Sequence, residues 1–126
     1  IFVQNGDRLY YSFENQIEGL CLPNYIPEFY KVKSVNKADK SYSVVFEDAE
    51  GLIIKLRAMP DGSSTGVDSE NANVVQIIVN GKQAQYYSKN GENIIIFEFN
   101  SNLFIVDGPV SKEELIKIAE SMEYRK

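Results

Sequence analysis

Histidine and tryptophan are missing from this chain of 126 residues, and cysteine occurs once. Without histidine, no Ser-His or Cys-His catalytic pair can be assembled from its own residues, nor any of the usual His-containing zinc sets. Cys21, being alone, cannot close an internal disulfide. No apolar stretch precedes Gly19-Leu20-Cys21, so the thiol reads as a small buried hydrophobe rather than a lipid attachment point. No apolar run is long enough to span a bilayer, and no signal peptide is visible. Basic residues number 13 against 18 acidic ones, for a formal net charge of −5. They are scattered rather than gathered into a stripe, which argues against nucleic acid or an anionic membrane surface as partner. The chain contains no GxGxxG, P-loop or GxSxG motif. A Ser-Lys dyad stays open, although nothing points to one. A hydrolase using Ser or carboxylate chemistry is therefore the least supported functional class.

What remains is an ordinary globular composition, 44% hydrophobic and 25% charged. A chain of this size buries roughly two-thirds of its unfolded surface, so its core needs neither metal nor disulfide. We expect a single domain over 1–126. Residues 1–22 form its less regular N-terminal extension, in which Phe2–Gln4 and Leu9–Phe13 are candidate strands. The first residue is Ile1 rather than Met, so a fragment or processed form is expected, with an upstream segment able to carry an anchor.

Turn chemistry organises the second half. Val74–Val79 and Lys82–Ser88 flank Asn80-Gly81. Lys82–Ser88 and Ile94–Phe99 flank a longer turn containing Asn90-Gly91. Ile94–Phe99 and Leu103–Val106 flank Asn100-Ser101-Asn102. Asn-Gly favours a type I′ turn, whose two positive φ angles match the twist of paired strands. Ser111-Lys112-Glu113-Glu114 reads as a capping box. It opens a helix over Lys112–Met122, with Leu115, Ile118, Ala119 and Met122 on one apolar stripe.

In the first half, Pro23 and Pro27 bracket an extended segment, and Phe29–Val35 reads as a strand. Asn36–Lys40 is a polar turn. Tyr42, Val44 and Phe46 alternate along one strand. Leu52, Ile54, Leu56 and Ala58 alternate with Lys55 and Arg57 along the next, implying one wet face. Asp48-Ala49-Glu50-Gly51 joins the two. Ile94–Phe97 is apolar on both faces, as in a covered central strand. These readings predict an α+β fold, a curved antiparallel sheet of about six to eight strands with one C-terminal helix packed on one face.

Candidate chemistry is thin. Asp61, Ser63 and Thr65 occupy positions 1, 3 and 5 of an EF-hand pattern, with Gly66 at position 6. Ala72 stands where the closing bidentate Glu belongs, and strands flank the loop. A looser cation site from Asp61, Asp68 and Glu70 is the remaining metal candidate. The competing reading is a loop whose side chains bond their own backbone. The acidic groups Glu47/Asp48/Glu50 and Glu113/Glu114 fall on a hairpin tip and a helix first turn, where negative charge is structural or solvated. Tyr86-Tyr87 places one ring on each face of its strand, as packing or as a stacking platform. No catalytic residue, cofactor or nucleic-acid partner is expected.

Several of these motifs also resemble, in order, a bacterial domain family of unknown function. They are Tyr25-Ile26-Pro27-Glu28-Phe29-Tyr30, Tyr42–Glu47 with Glu50-Gly51, and Gly62-Ser63-Ser64-Thr65 with Asp68-Ser69-Glu70-Asn71-Ala72. Val79-Asn80-Gly81-Lys82, Tyr86-Tyr87 and Ser111–Ser121 follow. The family-like core covers 25–122. The family commonly has Gly where Phe29 stands, and often a Trp near Ile94–Phe99. The resemblance implies an extracytoplasmic C-terminal domain of membrane-anchored proteins, mainly in Firmicutes, some of them anti-sigma-factor-like. It supplies no catalytic residues. The function it implies is a non-enzymatic interaction or sensory domain. Its partner would be a protein or cell-envelope component, and its only membrane contact an upstream anchor. The alternative is a carrier of an apolar ligand or lipid, held in a cavity between sheet and helix and lined by Ile94–Phe99.

Overall fold

The computed structural model describes residues 9–60 and 74–125. Its elements are a 3-10 turn at Tyr11–Phe13, β1 (Cys21–Pro23), β2 (Lys31–Lys37), β3 (Tyr42–Glu47), β4 (Ile53–Pro60), β5 (Val75–Val79), β6 (Lys82–Lys89), β7 (Glu92–Phe99), β8 (Asn102–Gly108), α1 (Lys112–Glu120) and β9 (Met122–Tyr124). The fold is α+β. Seven antiparallel strands run in the order β2-β3-β4-β8-β7-β6-β5, in a sheet that does not close on itself. Two meanders, β2–β4 and β5–β8, join edge to edge where Leu56 pairs with Val106 and Ala58 with Phe104.

The second meander follows its turn residues. Asn80 (φ 51) and Gly81 (φ 81) form a two-residue turn with both φ angles positive, and so do Asn90 (φ 53) and Gly91 (φ 83). The Asn90-Gly91 turn is tighter than expected, because Lys89 pairs directly with Glu92. Asn100 (φ 53) and Ser101 (φ 67) make the third such turn without a glycine, and Phe99 pairs with Asn102.

One sheet face is buried under α1 and the N-terminal segment. Val44, Phe46, Ile54, Leu56, Phe104, Val106 and Ile95 on the strands, and Leu115, Ile118 and Ala119 on α1, are fully buried. Period-2 alternation on the strands and the i, i+3, i+4 spacing on the helix give both elements an apolar side, and the two sides meet. The Ser111 hydroxyl caps the helix by accepting the Glu114 N–H at 3.2 Å. Gly108 is required by proximity: a Cβ there would lie 2.9 Å from the Ile54 side chain and 3.2 Å from its Cα.

Several expectations need correction. The helix ends at Glu120, where Ser121 caps it by donating its N–H (3.1 Å) and its hydroxyl (2.8 Å) to the Ile118 carbonyl. Met122, still buried, belongs instead to β9, which pairs with β1 in a separate two-stranded ribbon. Leu9–Phe13 forms no strand, and Tyr11–Phe13 is a 3-10 turn. Leu52 lies before β4 and is 46% exposed. Phe2–Gln4 lies outside the described residues. The irregular stretch before β1 supplies core: Tyr10, Ile17 and Leu20 are buried, and the Tyr10 ring meets Phe46 edge-on at 6.4 Å.

Phe29 precedes β2 rather than opening it, at φ 76 and 76% exposed. The Tyr30 N–H donates to the Pro27 carbonyl at 3.2 Å, so Phe29 occupies the third position of a tight turn. Positive φ there suits glycine. A bulky side chain in the left-handed region costs about 1–2 kcal/mol. Phe29→Gly is therefore expected to stabilise the fold by about 0.5–1 kcal/mol after the added freedom of the unfolded glycine is subtracted. The urea midpoint reads this directly, and a lowered midpoint would show that the ring makes contacts worth more than the strain.

Candidate functional site

The metal candidates Asp61, Asp68 and Glu70 lie outside the described residues, as does the loop that carries them. Among the described residues, no group of three or more His, Cys, Asp or Glu side chains is placed to hold a metal. In the first acidic group, the carboxylates of Asp48 and Glu47 have structural partners. The Asp48 carboxylate accepts the N–H groups of Glu50 and Leu52, each at 2.9 Å, and so shapes the turn into β4. Glu47 pairs with Lys33 at 3.2 Å, beside the bulge that shifts register between Val32 and Ser34. At the helix start, the Glu114 carboxylate accepts a hydrogen bond from the Tyr25 hydroxyl and lies 3.8 Å from Lys117, whose ammonium stands 5.7 Å from the centre of the Tyr25 ring.

Cys21 is buried, 2% exposed. Its Sγ accepts from the Asn100 amide at 3.3 Å, and burial pushes its thiol up, out of the thiolate range that reactivity needs. Its backbone is held by Tyr42, whose hydroxyl accepts the Cys21 N–H at 3.0 Å and donates to the Cys21 carbonyl at 2.7 Å. This latch ties the β1–β9 ribbon to β3. Arg125, 8% exposed, hydrogen-bonds Asn24 and stands 5.0 Å from the Tyr10 ring centre, joining both ends of the described chain. No local pattern marks either contact in the sequence.

Burial raises the pKa values of Tyr10, Tyr25, Tyr30 and Tyr42. For Tyr25 the value reaches about 12, through burial first, then the hydrogen bond to Glu114, then the charges of Glu114 and Glu28. Each group's folded pKa lies above its unfolded value of about 10. Their stabilising contribution is thus complete below about pH 10 and is lost as pH rises through the folded values. Melting temperature should fall from about pH 10 upward, with the tyrosinate absorbance of these residues appearing together with unfolding. A smooth titration of all 8 tyrosines near pH 10, with the fold intact, would contradict these assignments.

Tyr86 and Tyr87 point to opposite faces. Tyr86 lies half-buried under Lys112, 5.8 Å from its ammonium, and Tyr87 is 1% exposed on the face away from α1. Both rings act as packing. Between sheet and helix end, Val79, Phe97, Phe99 and Ala119, with Asn80, Lys82, Glu98 and Asn100, line a cleft of about 220 Å³. Small-molecule sites start at about 300 Å³, somewhat above this volume.

The face away from α1 offers more chemistry. Register places Asn36, Ser43 and Arg57 in one cross-strand row over β2, β3 and β4. Together with Lys37, Ser41 and Lys55 they line a cleft of about 290 Å³ beside the turn at 38–41. Asp107 on β8 lies directly opposite Lys55 and feels the positive charges of Arg57 and Lys55. Partial burial nevertheless raises its carboxyl above the usual range, assisted by the negative charge of Glu92.

The chain matches a domain of unknown function, DUF4367, over residues 21–122. No curated protein matches it.

Proposed function

This chain belongs to the DUF4367 family, and from that premise we propose a non-enzymatic interaction or sensory domain. It sits outside the cytoplasmic membrane of a bacterium, held there by an anchor in the sequence upstream. The observation that carries the reading is the contrast between the two sheet edges. Among the described residues, β2 pairs only with β3 and β5 only with β6. Edge β2 carries Lys31, Lys33 and Lys37, a charge pattern that discourages strand addition. Edge β5 reads Val75-Gln76-Ile77-Ile78-Val79, without charge or proline, and leaves Val75 44% and Ile78 58% exposed. Such an edge takes an extended partner segment through main-chain hydrogen bonds, with alternate side chains supplying specificity. The partner is a protein or a cell-envelope component.

The motif resemblance supports the extracytoplasmic placement and the anchor. No helix among the described residues is long and apolar enough to cross a membrane, so the tether is assigned to upstream sequence. Reporter fusions to the full-length protein test the placement. An alkaline phosphatase fused after residue 126 should be active and a β-galactosidase at the same point inactive. The reverse pattern, or a full gene encoding neither a spanning helix nor a secretion signal, would refute it.

A further inference from the structure

We propose that the cleft beside the turn at 38–41 binds a small phosphate-bearing anion. The chain has a net charge of −5, yet Lys37, Lys55 and Arg57 all line this one cleft, and no carboxylate among the described residues does. Asn36, Ser41 and Ser43 add neutral hydrogen-bonding groups to the same lining. The Arg57 Nε is buried and has no acceptor among the described residues. A buried, unsatisfied donor on a charged group is costly, and an anion placed in the cleft would relieve it. The guanidinium offers a planar fork of donors matched to two oxygens of one phosphate, while Lys37 and Lys55 act as flexible point charges. Among the described residues, Asp107 lies across from Lys55 and Asp39 stands exposed on the adjoining turn, and neither is part of the lining. A volume of about 290 Å³ suits a single head group rather than a large ligand. Three cations favour a phosphate over a singly charged carboxylate. The phosphate belongs either to a soluble monoester or to the repeating diester of a polymer.

Amide NMR titration of the whole chain with inorganic phosphate, sn-glycerol 3-phosphate and bis-glycerol phosphate tests the site. Saturable shifts confined to residues 36–43 and 55–59 are expected, and sodium chloride at matched ionic strength should not reproduce them. A preference for the monoester assigns a soluble phosphate ester, and equal or tighter binding of the diester assigns a polymer phosphate. Arg57→Gln should weaken binding about tenfold or more, the loss of a charge-assisted contact expressed as affinity. The exposed pair Lys37→Gln/Lys55→Gln should do the same and keeps the test alive if Arg57→Gln fails to fold. Lys31→Gln, outside the cleft, should leave affinity unchanged, and Asp107→Asn should tighten it by removing the nearby negative charge. Shifts that do not saturate, that chloride reproduces, or that survive the double lysine substitution would overturn the proposal.

Discussion

Phe104→Ala is expected to lower the free energy of unfolding by about 3–5 kcal/mol. Phe104 is fully buried on β8, at the seam where the two meanders meet, paired with Ala58 on one side and Phe97 on the other. Its ring stacks on Phe97 at 5.4 Å and meets Tyr42 and Phe99 edge-on at 6.4 and 6.5 Å. Each such aromatic pair contributes about 0.5–1.5 kcal/mol beyond burial. Truncation also leaves a cavity that the small side chain of Ala58 cannot fill, so the loss belongs at the upper end of the range. Phe104→Leu, which keeps most of the volume, should cost clearly less. Urea denaturation of both variants checks this. A Phe104→Ala loss of under about 1 kcal/mol would mean that the seam repacks freely, contrary to the close packing of native cores.

Leu115→Ala or Ile118→Ala should cost about 2–5 kcal/mol each. Both residues are fully buried on the inner side of α1, which lies chiefly against β7. A nine-residue helix is too short to be stable alone in water, so its persistence depends on this docking. Against a typical domain stability of about 5–15 kcal/mol, either loss is a large fraction of the whole. Thermal and urea unfolding monitored by circular dichroism should show one transition displaced downward. Helix signal lost in a separate, earlier step while the sheet persists would show that α1 is an appendage.

The parts of this architecture that local chemistry encodes are readable in the sequence. Asn80-Gly81 and Asn90-Gly91 announce positive-φ turns, Ser111 announces a helix cap, and Leu56 flanked by Lys55 and Arg57 announces a strand with one wet side. The missed features depend on distant partners. Met122 continues the helical stripe by spacing, yet Ser121 stops the helix, accepts the Tyr25 N–H at 3.0 Å on its hydroxyl and the Asn24 N–H at 3.0 Å on its carbonyl, and so turns the chain toward β1. Tyr10, Ile17 and Leu20 enter the core from irregular backbone, which carries no hydrophobic period to detect. The candidate cleft was illegible for a related reason. Lys37 reads as part of a polar turn and Lys55 and Arg57 as the wet side of a later strand, and only the pairing of β2, β3 and β4 brings the two segments together.

Native-state amide hydrogen exchange tests most directly whether α1 and the sheet form one structural unit. The N–H groups of Leu115, Ile118 and Ala119 should exchange with the same opening free energy as those of Ile95 on β7 and Val106 on β8, because both sets open only when the whole fold opens. Helix amides exchanging orders of magnitude faster than those central strands would contradict it.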